Sequence, residues 1–101
     1  MPPLRAQGDP VDDTLMWEAA AAPGRLEELL AWVDDVAAPA VLALPGCLDV
    51  SSYRAGDDRA VIIAVFRDGA PRIDDPPQDL LRRPVHQWRF QRRWTHRPAG
   101  S

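Results

Sequence analysis

Two side chains in this 101-residue chain combine the chemistry needed to move a proton and to steer a flat ligand, His86 and Tyr53. An imidazole titrates near neutral pH and relays a proton, while a phenol fixes the orientation of a ring stacked beside it. Trp17, Trp32 and Trp88 offer further flat apolar surface, and Arg89 is a cation able to hold a phenolate or another anion. In a domain this small the same aromatic residues serve equally well as core. His86 serves equally as a strand-end residue bonded to solvent or a carbonyl, so both roles stand open for each.

Other chemistries have little to build on. The pairs Asp34-Asp35, Asp57-Asp58 and Asp74-Asp75 fall at expected helix ends and turns, where Asp caps backbone groups, and no His accompanies them at metal-ligand spacing. No metal site is expected. There is no Gly-rich phosphate cradle, so neither a flavin nor a nicotinamide is expected as cofactor. The single Cys47 excludes an internal disulfide and lacks an adjacent base; it reads as a buried, inert thiol suited to a reducing cytoplasm.

Charge is unevenly spread. The net charge is −3, yet beyond Asp79 every charge is an arginine: Arg82, Arg83, Arg89, Arg92, Arg93 and Arg97. Guanidiniums beside Trp88, Phe90 and Trp94 have the composition of a nucleic-acid surface, but the acidic balance of the whole chain argues against that partner. The strip reads instead as a solvated face or an ion-pairing surface between subunits. No segment approaches the roughly 20 apolar residues that span a bilayer, so no membrane partner is expected.

These side chains need elements to position them. Leu15 to Ala21 reads as a first strand with Leu15, Trp17 and Ala19 on one face and Met16, Glu18 and Ala20 on the other. The period then changes. Leu26, Leu29, Leu30, Val33, Val36 and Ala37 form one helical stripe, with Pro23 in the first turn and Glu27 and Glu28 complementing the dipole. Pro39 predicts a break, with a second short helical piece over Ala40 to Leu44 ending at Pro45-Gly46. Cys47 to Arg54 and Arg59 to Phe66 read as a hairpin across the turn Ala55 to Asp58. The second of these strands is apolar on both faces, which predicts a central place in a sheet covered on both sides.

Asp75-Pro76-Pro77-Gln78 resembles a helix start, with Asp75 as cap, and Pro84 limits that helix to about two turns. A last strand, Val85 to Trp94, carries Trp88 and Phe90 on one face, expected to close on the stripe of the first helix. Gln87, Arg89, Gln91 and Arg93 occupy the other face. Residues 1–13 read as a floppy leader, residues 14–96 as one domain and residues 97–101 as a tail.

In this order the elements, with the turn Leu44-Pro45-Gly46-Cys47-Leu48, Tyr53 on the strand after it and Pro23-Gly24-Arg25 at the helix start, resemble the antibiotic biosynthesis monooxygenase-like domains of the dimeric α/β-barrel superfamily. The resemblance covers Leu15 to roughly Trp94. It implies an α+β, ferredoxin-like protomer with a four-stranded antiparallel sheet, one long helix and a shortened second helix, pairing with a second copy to form a dimeric α/β barrel. It implies a pocket for an aromatic small molecule between each sheet and its own helices, lined here by Trp17, Trp32, Phe66, Trp88 and Arg89. The catalytic members oxidise or cyclise aromatic polyketide-like compounds without a cofactor, roles that would fall to Tyr53 and His86. Departures favour a second reading, a non-catalytic accessory or ligand-binding dimer. Phe66-Arg67-Asp68 stands where the family has Trp and an acidic or polar residue, the short second helix has no His, and the chain has no Asn with which to match the haem-degrading subgroup.

Overall fold

The computed structural model describes residues 12–99. Four strands, β1 (Thr14–Ala20), β2 (Cys47–Ala55), β3 (Arg59–Phe66) and β4 (His86–Phe90), form one sheet in the order β2-β3-β1-β4, and every neighbouring pair is antiparallel. This is an α+β protein whose open sheet and single long helix are compatible with a ferredoxin-like fold. The hairpin and the central position of β3 are as the sequence predicts. Of the predicted leader, only Asp12 and Asp13 lie within the described residues, and their carbonyls accept from Ala70 N and Phe66 N.

The helix runs from Leu26 to Leu42 without the break expected at Pro39. It passes from α1 (Leu26–Trp32) through a π-helical stretch (Val33–Ala37) into α2 (Ala38–Leu42). The buried positions explain the wider turn. Leu29, Val33, Ala37 and Val41 are all at most 3% exposed and recur every four residues, a period longer than the 3.6 of an α-helix. Underwinding keeps that row on one face. Pro39 sits directly after the π-helical stretch, as the second residue of α2, and Val36, predicted in the stripe, turns outward at 51% exposure. Pro23 and Gly24 form the turn before the helix rather than its first turn. At its other end Gly46 takes φ +82, a conformation that favours glycine, and its carbonyl accepts from Arg67 N at 2.8 Å.

The core lies between the helix and one sheet face. Leu15, Trp17 and Ala19 of β1 and Ala60, Ile62, Ala64 and Phe66 of β3 pack against Leu26, Leu29, Val33, Ala37 and Val41. Small residues on the strands leave room for the indole of Trp17, which is wholly buried.

The second crossover differs most from expectation. The helix predicted from Asp75 is reduced to one 3-10 turn, Gln78–Leu80, and Asp75 makes no cap. An extended strap over residues 70–76 takes its place, plugged by Ile73 at 4% exposure. Side chains of β4 hold it down. Gln87 accepts from Ile73 N at 3.0 Å and donates to Ile73 O at 2.8 Å, and Arg89 Nε donates to Ala70 O at 3.0 Å.

β4 itself is five residues long, ending at Phe90 rather than Trp94. Its faces are opposite to the packing predicted from them. Gln87 and Arg89 point towards the core side as neighbours of Trp17 and Leu15, while Trp88 and Phe90 pair across the open face with Met16 and Thr14 and remain 42% and 46% exposed. Trp88 therefore does not close on the helix stripe. In this register Gln87 and Arg89 face the strap and make the three bonds that hold it.

Candidate functional site

The sheet divides the predicted site residues into two groups. Trp17, Phe66 and Arg89 lie on its helix side, with Trp32 coming from the helix above; Tyr53, His86 and Trp88 lie on its open side.

On the helix side, the rings of Trp17 and Trp32 stack with centroids 5.9 Å apart and an angle of 25° between their planes. Trp32 then walls a pocket of about 200 Å³ between the helix and the strap. Val36, Ala40, Val41 and Leu44 give it an apolar side, and Arg72, Ile73 and Asp74 of the strap close it with two charges at the rim. Phe66 is core and does not line this pocket, and Arg89 is occupied by the strap carbonyl. The indole Nε1 of Trp17 is buried without a hydrogen-bond partner. Since an apolar cavity of about 150 Å³ accommodates benzene, this pocket has the size for a single substituted aromatic ring; Arg72, the cation at its rim, pairs with Asp75 at 3.7 Å.

On the open side, the register places His86, Glu18, Val61 and Tyr53 in one row across β4, β1, β3 and β2. His86 and Tyr53 therefore share a face but sit on opposite edge strands, three strand spacings or about 14 Å apart. The next row is Trp88, Met16, Ile63 and Ser51, and the third is Phe90, Thr14, Val65 and Asp49. Trp88 meets the imidazole of His86 edge-on, with centroids 5.5 Å apart. The face is thus an apolar band with Asp49 at one corner and a charged cluster at the opposite one.

That corner is built on Glu18, whose position on a central strand sequence reasoning did not single out. Glu18 accepts from Arg83 Nη2 at 2.8 Å and pairs with Arg59 at 3.4 Å, with its own side chain 15% exposed. The Arg83 hydrogen bond lowers its pKa from the ordinary carboxylate value; burial opposes, and the positive charges of Arg83 and Arg59 reinforce. Arg83 Nη1 also lies 3.4 Å from His86 Nδ1. A guanidinium only donates, so any hydrogen bond in this contact has Nδ1 as its acceptor. The sequence signal for this corner was the alternation of β1, which sets Glu18 among apolar neighbours.

Cys47 is half-buried at the start of β2, and burial, then the nearby Asp49, push its thiol above the ordinary value, the opposite of activation. Among the described residues no cluster of three or more His, Cys, Asp or Glu could hold a metal ion. No helix among them is long and apolar enough to cross a membrane. The chain matches no protein-family model, no curated protein and no solved structure.

Proposed function

We propose that the protein is a homodimer that binds a small aromatic molecule without transforming it, a ligand-binding or accessory relative of the antibiotic biosynthesis monooxygenase-like dimers, working in a reducing cytoplasm. The observation that carries this reading is the division of the site. The pocket beside Trp32 is on the helix side of the sheet, whereas Tyr53 and His86, the groups suited to orient and deprotonate a substrate, are on the other side and, within one protomer, on opposite edge strands. The open face supplies the reason to pair. Trp88, Phe90, Met16, Ile63, Val61 and Tyr53 form an apolar band that a second copy would cover.

The test is titration of the protein with benzoate- and phenol-type ligands, followed by tryptophan fluorescence, with oxygen uptake recorded alongside in metal-free buffer. Quenching that is lost in Trp32→Ala, with no oxygen consumed, is the expected result. Absence of saturable binding across the panel would overturn it.

One observation favours the second reading, a cofactor-independent monooxygenase or cyclase. Tyr53, His86 and Trp88 do share one face, and a partner sheet laid over it would enclose them together. Oxygen uptake with electron-rich phenolic or anthrone-like compounds, abolished by both Tyr53→Phe and His86→Ala, would establish that reading in place of the first.

A further inference from the structure

Past Phe90 the chain leaves the sheet as an extended arm. Its departure is fixed by Arg92 N donating to Asp13 Oδ1 at 2.9 Å, and every residue from Gln91 to Ala99 is exposed, with Trp94 at 63%. The arm and the body have opposite charge. From Asp12 to Phe90 there are fourteen Asp and Glu against eight Arg, a net of −6, whereas Gln91 to Ala99 holds Arg92, Arg93 and Arg97 and no acid, a net of +3. None of these three arginines makes an ion pair among the described residues. The Trp94 ring lies against His96, with centroids 4.3 Å apart, and an exposed indole between unpaired guanidiniums is complementary to an acidic surface that also offers apolar contact.

One such surface lies at the same end of the sheet, on the opposite edge. The row that ends β4 at Phe90 crosses Thr14 and Val65 to Asp49 on β2. Beside Asp49 are Leu48, 51% exposed, and Arg67-Asp68 just past the end of β3; neither acid is ion-paired among the described residues, and with Arg67 counted the corner carries a net charge of −1. Within one chain the full width of the sheet separates arm from corner. Two sheets stacked face to face about a two-fold axis parallel to the strands bring β4 of one copy over β2 of the other with the same ends aligned. The alternative axis, perpendicular to the strands, sets the arm against the partner copy's start of β4, where Arg82 and Arg83 already hold Asp58 and Glu18 in ion pairs and leave the arm no unpaired acid to meet.

Resting on the dimer proposed above, we propose that the arm is a clasp: Arg92, Arg93 and Trp94 of each copy seat on the Leu48, Asp49 and Asp68 corner of the other. Because the contact occurs twice, its charges also select the axis. The experiment is sedimentation velocity of the full chain and of two variants, Arg92→Glu with Arg93→Glu, and Asp49→Arg with Asp68→Arg, alone and mixed. Each variant alone is expected to raise the dimer dissociation constant about tenfold or more at low salt. An equimolar mixture is expected to recover wild-type affinity, since each heterodimer again places opposite charges at both contacts. Circular dichroism on each variant confirms the fold. Wild-type dimerisation in either variant, or a mixture that fails to recover, overturns the clasp and leaves the dimer standing. A wild-type chain that is monomeric at micromolar concentration overturns both.

Discussion

Replacing Gln87 by Ala isolates the device that stands in for the second crossover helix. The Gln87 amide makes two bonds, 3.0 and 2.8 Å long, to the N–H and carbonyl of one buried residue, Ile73. A neutral hydrogen bond contributes about 0.5–1.5 kcal/mol net, so losing the pair costs about 1–3 kcal/mol, towards the upper end if water does not reach the freed backbone groups. At a urea m-value of about 1–2 kcal/mol/M the midpoint falls by about 1 M. Equilibrium denaturation at fixed protein concentration measures this directly, and amide exchange at Ile73 localises it. Gln87→Glu sharpens the test: a carboxylate still accepts from Ile73 N but faces Ile73 O with negative charge, so at neutral pH it should be no better than Ala. Arg89→Ala, which removes one bond from an exposed side chain, should cost less than either. A Gln87→Ala midpoint equal to wild type, with unaltered exchange at Ile73, would refute the claim that this side chain holds the strap.

Trp17→Ala is expected to cost about 3–5 kcal/mol, because the indole is wholly buried and stacked on Trp32, whereas Trp88→Ala should cost the isolated protomer only about 1 kcal/mol; similar losses on chemical denaturation of dilute protein would contradict the assignment of faces. Glu18 has its pKa lowered from 4.5, chiefly by Arg83, so its contribution is present above 4.5 and disappears as the pH falls through its lower folded value. Glu18→Gln should therefore be less stable at pH 7 and show a shallower acid limb in denaturation measured against pH; an unchanged limb would remove Glu18 from the account. Gly46→Ala should destabilise by about 1–2 kcal/mol through backbone strain alone, since an added Cβ meets nothing nearer than 3.8 Å, and a thermal midpoint at or above wild type would show that the turn relaxes at no cost.

Alternation and period made the strands and the single helix legible. Leu15, Trp17 and Ala19 on one face of β1 mark the core side, and the Gly-Asp-Asp turn marks the hairpin. The π-helical stretch was legible only in part. Pro39 drew attention to itself as a breaker, while the four-residue recurrence of Leu29, Val33, Ala37 and Val41, which reveals an underwound helix, is a signal that an average 3.6 period hides. The strap was not legible, because the groups that hold it are a glutamine and an arginine on a later strand, and side-chain to backbone bonds of this kind leave no local periodicity. The candidate site suffered from the same cause. Aromatic residues identify themselves, but which side of the sheet His86 and Trp88 occupy depends on the β4 register, in which Gln87 and Arg89 face the strap.

The composition of β2 has a consequence for how the protein behaves at high concentration. Its nine residues make it the longest strand, and it forms one edge of the sheet, so one row of its backbone N–H and C=O groups has no strand beside it. Such an edge is a template on which other chains can polymerise. The strand is poorly suited to that use. Asp49 and Arg54 place opposite charges near its two ends, Ser51-Ser52 interrupts any apolar run, and an irregularity between Cys47 and Asp49 spoils the straight register a growing fibril requires. A sequence that looks weak as a strand is therefore well matched to the edge it occupies: it pairs inward with β3 and offers little to a stranger from outside.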